Sequence, residues 1–486
     1  MKKILIMFVV IALMLQNGCI SDITNDIRDI NEVTISGIAE FIEVYQHDLL
    51  TIEPILSSTF GGAQNYAFEW VAFRFDPPVG MPIRFFLDST RNLDNFRVDL
   101  PVDDYLVRFR VTDRETGVFF ETTFTLSVKT FLTSGYLVMS DVDGRMRLDM
   151  LSLFYNEFTL FPDVLAHVNS ELPPQYGPIK LLRFTDEAFS PGGYALYVLT
   201  QTGTNRLHDE TLRWNPNYNV RNHFLPIATA PEDFIATNML EGSRSVVVHG
   251  EVDGIGTLFN RFQPTGIWWN VPVNTLDGVQ LFNASPIFVQ LHVVNGWLVF
   301  NKDTRSFYQL RTESRRSNRI IPAGGLMSWA NTGKDLVFAG RIGHTGYLIL
   351  RNDNNEHFFL QVNSSFIQID FRPMHATNIH LAEHFAVGGT WSQNIYYAVE
   401  GRVYAWNISD NASYVVLDLG DQIITYLDFV RYSANLRVTT EIYVGSFDPS
   451  TGVGTLTSFT IPIRPNPFEK VQQWTGFGRI VSVILK

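Results

Sequence analysis

Gly135-Tyr-Leu-Val-Met-Ser-Asp-Val-Asp-Gly-Arg-Met-Arg-Leu-Asp-Met150 reads as a strand, a tight turn and a second strand. Asp-Gly at the centre supplies the left-handed backbone that a two-residue hairpin turn needs. The unit recurs along the chain. It returns at Tyr194-Ala-Leu-Tyr-Val-Leu-Thr200 with a turn at Thr202–Asn205, and at Ser245-Val-Val-Val-His-Gly250 with a turn at Val252–Gly254. It returns again at Trp297–Tyr308, at Asp335–Gly340 followed by Gly346–Val362, at Ile395–Trp406 and at Glu441–Phe447. One hairpin therefore falls every ~50 residues over ~350 residues. Two obvious strands per repeat, with room for two weaker ones, is the spacing of a β-propeller. A single blade cannot bury both its faces, so blades must stack in a ring. Seven blades are expected over residues 135–486, with six or eight also compatible. Gly476–Lys486 reads as one further strand, which either pairs into the first blade or completes the last.

Upstream the rhythm is different. Val33-Thr-Ile-Ser-Gly37, Tyr66-Ala-Phe-Glu-Trp70, Leu106-Val-Arg-Phe-Arg-Val111 and Thr123-Phe-Thr-Leu-Ser-Val128 alternate with period two. Several short strands, a tryptophan on an early one and no helical period predict an immunoglobulin-like β-sandwich over residues 33–131. The boundary is expected at about Thr130–Ser134. The fold class is all-β throughout, and the abundance of aromatics (38 Phe, 18 Tyr) favours sheet.

The first residues are of another kind. Lys2 and Lys3 precede the apolar run Ile4–Leu15, which is too short for a stable membrane anchor and right for the apolar part of an export signal. Gln16-Asn17-Gly18 leads to Cys19, the one cysteine of the protein. The arrangement resembles a bacterial lipoprotein signal, in which a cysteine after a small residue becomes the acylated N-terminus. Residues 1–18 are then signal peptide, Cys19 carries the lipid (palmitate among its acyl chains), and 19–32 form a flexible acidic leader. Two or three acyl chains anchor durably where one is marginal.

Taken in order, these parts resemble a family. Tyr66-x-Phe-x-Trp70 followed by Asp104-Tyr-Leu-Val-Arg-Phe-Arg-Val-Thr-Asp113 is similar to the polycystic-kidney-disease-type (PKD-like) sandwich, with Phe75-Asp-Pro-Pro-Val79 where that fold usually has Gly-Asp-Gly. Together with Val271-Pro-Val-Asn274, Trp297–Phe307, Gly333-Lys-Asp-Leu-Val337 and Ile395–Tyr404, the chain resembles the PKD-like family of bacterial outer-membrane lipoproteins. That resemblance implies a lipid-anchored protein at the outer membrane, on the cell surface. It implies an accessory to Sus-like nutrient uptake, beside a TonB-dependent channel and its partner lipoprotein. It carries over no catalytic residue.

Composition limits the function classes. Apolar residues make up 45% and charged residues 18% of the 486, which is not a disordered composition. The net charge of −12 opposes general nucleic-acid binding, which needs a basic face. One cysteine excludes an intramolecular disulfide and a cysteine-built zinc site. His375, His380 and His384 form the strongest metal candidate, but no His-Glu-x-x-His is present and they read as satisfied surface or blade-edge histidines. Asp141-x-Asp143-Gly144, with Asp149 beyond, lacks the twelve-residue calcium-loop spacing. Gly452-x-Gly454 precedes no helix, and no Gly-x-Ser-x-Gly occurs. No catalytic residue, metal or cofactor is assigned.

Aromatics outside the strongest strands are the better lead. Trp214, Trp268, Trp269 and Trp329 are candidate ligand-binding residues, since aromatic faces take up sugar rings and peptide side chains. Arg311, Arg315, Arg316 and Arg319 form the one basic cluster. Two readings result. The first is a non-catalytic surface protein that binds a glycan, a peptide or an uptake-channel partner, with the sandwich as spacer or docking module. The second is a surface glycan- or peptide-degrading enzyme with its site in the propeller channel. Fold alone does not separate them; the first is preferred.

Overall fold

The computed structural model describes residues 30–60, 65–75, 83–132, 134–154, 157–185, 193–224, 234–242, 245–262, 269, 271–276, 280–293, 296–321, 325–388, 393–430, 441–462 and 466–486. These fall into two compact units that part between Thr130 and Phe131.

In the first unit, long strands with strict alternation build a five-stranded sheet. Its spatial order is Phe41–Tyr45, Phe119–Lys129, Asp103–Asp113, Tyr66–Arg74, Arg84–Asp88. Phe41–Tyr45 runs parallel to its neighbour, and the other pairings are antiparallel. Along Asp103–Asp113 the side chains of Tyr105, Val107, Phe109 and Val111 are buried. The intervening Arg108 and Arg110 lie on the other face, paired with Glu69 and Glu121 at 2.9 and 3.0 Å. Two small sheets, Val33–Ser36 with Ile55–Ser58 and Leu49–Ile52 with Leu93–Arg97, contribute Val33, Ile52 and Leu93 to the same core. Trp70 sits fully buried at its centre, 4.2 Å from the Phe109 ring, and donates its indole N–H to the Thr90 carbonyl at 2.9 Å. Tyr105 donates its hydroxyl to the Pro101 carbonyl four residues upstream at 2.7 Å, the tyrosine-corner contact of immunoglobulin-type folds.

Among the described residues the second unit holds seven sheets of three or four strands, besides a two-stranded ladder of Thr275–Leu276 with Gln280–Leu281, and each hairpin read from the sequence lies in a different one of the seven. The first contains Glu157–Phe161, Arg145–Phe154, Gly135–Val142 and Arg479–Leu485, in that spatial order. The second begins with Pro178–Thr185, the third with Ala236–Glu241 and the fourth with Val289–His292. The fifth begins with Lys334–Ile342, the sixth with His384–Ala386 and the seventh with Ile423–Asp428. Within each sheet every strand pairs antiparallel with the next in sequence. The exception is Arg479–Leu485, which returns to pair with Gly135–Val142, Tyr136 opposite Leu485 and Asp141 opposite Arg479. Of the two places open to this last strand, it takes the one in the first sheet.

Turn chemistry explains the hairpins. Asp143 and Gly144 have φ of 53° and 81°, and Asp253 and Gly254 have 52° and 75°. Both pairs occupy the doubly left-handed turn that matches strand twist. Asp141 accepts the Gly144 N–H at 2.6 Å. Asp149 is buried against Arg147 and the Asp163 N–H, both at 2.9 Å. Phe131 and Leu132 pack into the second unit's core, so the sandwich-like unit is one residue shorter than the sequence reading placed it.

Candidate functional site

The first strand of sheets two to seven, together with Arg479–Leu485 of sheet one, lines a single cavity of about 560 Å³. All seven sheets therefore meet there. Neighbouring lining strands are joined by specific contacts. Leu181 N–H donates to Ser482 Oγ at 3.0 Å, tying sheet two to sheet one. Lys180 Nζ donates to Asn238 Oδ1 at 2.9 Å, tying two to three. Asn238 Nδ2 donates in turn to the Pro286 carbonyl at 2.7 Å, at the approach to sheet four. Arg341 Nη1 reaches the Gln290 carbonyl at 3.4 Å between sheets five and four. Phe338 stacks on Phe385 at 5.5 Å between five and six. Gly340 makes that approach possible, because a Cβ there would stand 2.3 Å from Val387. Ala386 and Phe429 share one core between six and seven, and Tyr426 Oη donates to the Val483 carbonyl at 3.4 Å between seven and one.

The wall is mixed. Trp297, Phe338 and Phe385 are apolar panels, while Lys180, Arg183, Arg341, Glu241 and Asp428 bring charge. Arg183 is spent within the protein. Its guanidinium grips Asp209 through two bonds of 2.8 and 2.9 Å and lies 3.6 Å from the Tyr194 ring centre. Lys180 is different. Asn238 is its one hydrogen-bond partner, and no carboxylate stands within ion-pair distance among the described residues. Lys180 is half-buried and lines the cavity. That burial pushes its pKa down to about 8, and the more distant Asp428 charge opposes the fall.

Of the tryptophans proposed from sequence, Trp214, Trp269 and Trp329 are not part of this wall. Trp269 is fully enclosed, edge-on to Tyr197 at 5.9 Å. Trp329 is buried edge-on to Phe307 at 5.6 Å. Trp214 is half-buried and donates to Asn205 Oδ1 at 3.0 Å. Between sheets their large apolar area goes to packing, so Trp269 and Trp329 present no face to a ligand. Trp268 and Cys19 lie outside the described residues. Trp297 and Lys180 were missed. Lys180 had a signal, a cation within the apolar run Ile179-Lys-Leu-Leu182. Its strand, however, is the weak one of its repeat.

His375 and His380 are exposed, and His384 lies on the first strand of sheet six with its pKa lowered by burial. Among the described residues no group of three or more His, Cys, Asp or Glu is placed to hold a metal ion. Arg311, Arg315, Arg316 and Arg319 are all exposed. No described helix is long and apolar enough to cross a membrane.

Comparison with known proteins joins the N-terminal part of the chain to one family. Residues 19–173 match the PKD-like family. The PKD-like match takes in every described residue of the first unit and runs on past Thr130 through Glu157–Phe161 of the first sheet. No curated protein matches the sequence. Similar solved structures include a quinonprotein alcohol dehydrogenase-like protein from Bacteroides thetaiotaomicron, 11% identical, covering 93% of this chain and 98% of its own at a TM-score of 0.47. Another is a putative 6-phosphogluconolactonase from Bacteroides uniformis, 10% identical, covering 73% and 99% at 0.45. A third is YCF48 from Cyanidioschyzon merolae, 12% identical, covering 62% and 86% at 0.40.

Proposed function

We propose that residues 131–486 close as a seven-bladed β-propeller whose central cavity binds a small ligand without transforming it. The first unit is then a PKD-like sandwich, acting as spacer or docking module. The observation that carries the reading is the cavity itself, to which each of the seven sheets contributes a strand and which combines apolar panels with an open cation. A concave site that joins apolar panels to placed polar groups is a usual form of ligand pocket.

The protein is, on this reading, a lipoprotein anchored through Cys19 at the outer-membrane surface. It serves as an accessory to nutrient uptake beside a TonB-dependent channel and its partner lipoprotein. Glycan or peptide fragments are the ligands. Crosslinking in outer membranes followed by pull-down is expected to return the channel and its lipoprotein; recovery of neither would remove the uptake role. Cys19→Ala is expected to move the protein from the membrane to the soluble fraction. Unchanged partitioning in cells lacking the channel would end the lipid-anchor assignment.

A further inference from the structure

We propose that the ligand of this cavity carries a single carboxylate, received by the ammonium of Lys180. The inference rests on the cavity being the binding site and adds what it selects. An ammonium has three N–H donors and no acceptor. One donor of Lys180 goes to Asn238 Oδ1 at 2.9 Å. That amide cannot turn away, because its nitrogen is held by the Pro286 carbonyl at 2.7 Å and its oxygen also accepts the Met239 N–H at 2.9 Å. Among the described residues, two donors of Lys180 are left for whatever fills the cavity.

Leaving a cation in such a place is costly unless something meets it. The cavity's other cations are met within the protein, Arg183 by Asp209 and Arg341 by the Gln290 carbonyl among others. A half-buried charged group on a cavity wall with one neutral partner fits a ligand that brings the opposite charge. Glu241 and Asp428 on the same wall limit that charge to one, since a second acidic group would meet them. The formal −12 of the chain acts in the same direction against polyanions. A volume of about 560 Å³ admits a molecule of sugar or dipeptide size. Trp297, Phe338 and Phe385 offer its body an apolar wall.

The test is calorimetry on the chain from residue 20 at pH 7 with two acid–amide pairs, glucuronate against glucuronamide and N-acetylphenylalanine against its amide. The two pairs separate a sugar acid from a peptide acid. At least one acid is expected to bind, with its amide about tenfold weaker or more, the usual range for a hydrogen bond to a charged group. Lys180→Gln should abolish the preference and Lys180→Arg should keep it. Asn238→Asp should also abolish it with the lysine still present, because an internal carboxylate then occupies the same nitrogen. Near-ultraviolet circular dichroism checks that each variant is folded. Binding of the acid should weaken as pH rises above about 8, where Lys180 loses its proton. Equal binding of acid and amide, or acid binding that survives both Lys180→Gln and Asn238→Asp, overturns the carboxylate assignment while leaving the cavity as a site. If none of the four compounds binds at millimolar concentration, the small-ligand reading of the cavity falls as well.

Discussion

Deleting residues 479–486 is expected to unfold the whole second unit. Arg479–Leu485 comes last in sequence but pairs with Gly135–Val142, the first strand of that unit, so it ties the end of the chain to the first sheet, the pairing that closes the ring in the proposed propeller. It gives Ile480, fully buried, and Val483 to a core shared with Val138, Tyr426 and Tyr443. Its Ser482 also accepts the Leu181 N–H of sheet two. Each buried aliphatic side chain contributes roughly 1.5–3 kcal/mol. Each ladder hydrogen bond adds about 0.5–1.5 kcal/mol net, and more is lost where a partner is left buried and unmet. Together these reach the ~5–15 kcal/mol that holds a typical domain. The truncated chain should be insoluble, or should lose its cooperative thermal transition while residues 30–130 keep theirs. A graded version is Ile480→Ala, expected to lower stability by about 2–5 kcal/mol in urea unfolding. A truncated protein that unfolds cooperatively within a few degrees of the full chain would show that closure does not hold the sheets together.

That strand also shows how much of the fold can be read in advance. Tyr194–Thr200, Ser245–Gly250, Trp297–Asn301, Ile395–Val399 and Glu441-Ile-Tyr-Val-Gly are buried on both faces, so they are apolar runs bounded by turns, and each lies in its own sheet; Asp335–Gly340 is half open to the cavity and is legible through the hairpin that follows it. The lining strands are harder to see. Pro178–Thr185 and Ala236–Glu241 are half open to the cavity, which mixes polar and apolar residues and hides their period. The cavity draws on segments of seven sheets spread from Ile179 to Leu485, and sequence distance says nothing about their meeting. The tryptophans misled for a related reason. Trp269 and Trp329 stand outside strong strands and read as exposed, whereas loops and sheet margins here are themselves packed between sheets. Trp70 was legible because a tryptophan among alternating strand residues has one place to go, the core between sheets.

Acid should destabilise the second unit well before its carboxylates titrate. His223 and His249 are both buried, 3% and 2% exposed, and both are held neutral. His223 shares a hydrogen bond of 2.9 Å with the Tyr197 hydroxyl; burial, with the charges of Arg206 and Arg261 behind it, pushes its pKa down to about 4. His249 meets the Thr237 hydroxyl at Nδ1, 2.5 Å, and the Ala284 carbonyl at Nε2, 3.0 Å. Burial takes it down to about 4 against the pull of that carbonyl, with the Lys302 charge helping. The carbonyl needs a donor, so Nε2 carries the proton and Nδ1 accepts from Thr237, which is the neutral ring. In the unfolded chain both rings titrate near 6.5. Between that value and about 4 the unfolded state binds more protons than the folded one, so stability falls as pH falls. The loss is complete only below the folded value. Each ring is worth up to about 3 kcal/mol across the whole interval, and roughly half of that is reached by pH 5. Most carboxylates are still ionised there, so the interval from pH 6.5 to 5 isolates the histidines. Urea midpoints measured at pH 7.5, 6.5, 5.5 and 5 should fall steadily in the full chain. His249→Gln keeps an amide that can serve both neighbours and removes the titration. It should be somewhat less stable at pH 7.5 and distinctly less sensitive to acid down to pH 5. A variant whose midpoints fall in parallel with those of the unaltered protein would show that His249 does not carry the acid response.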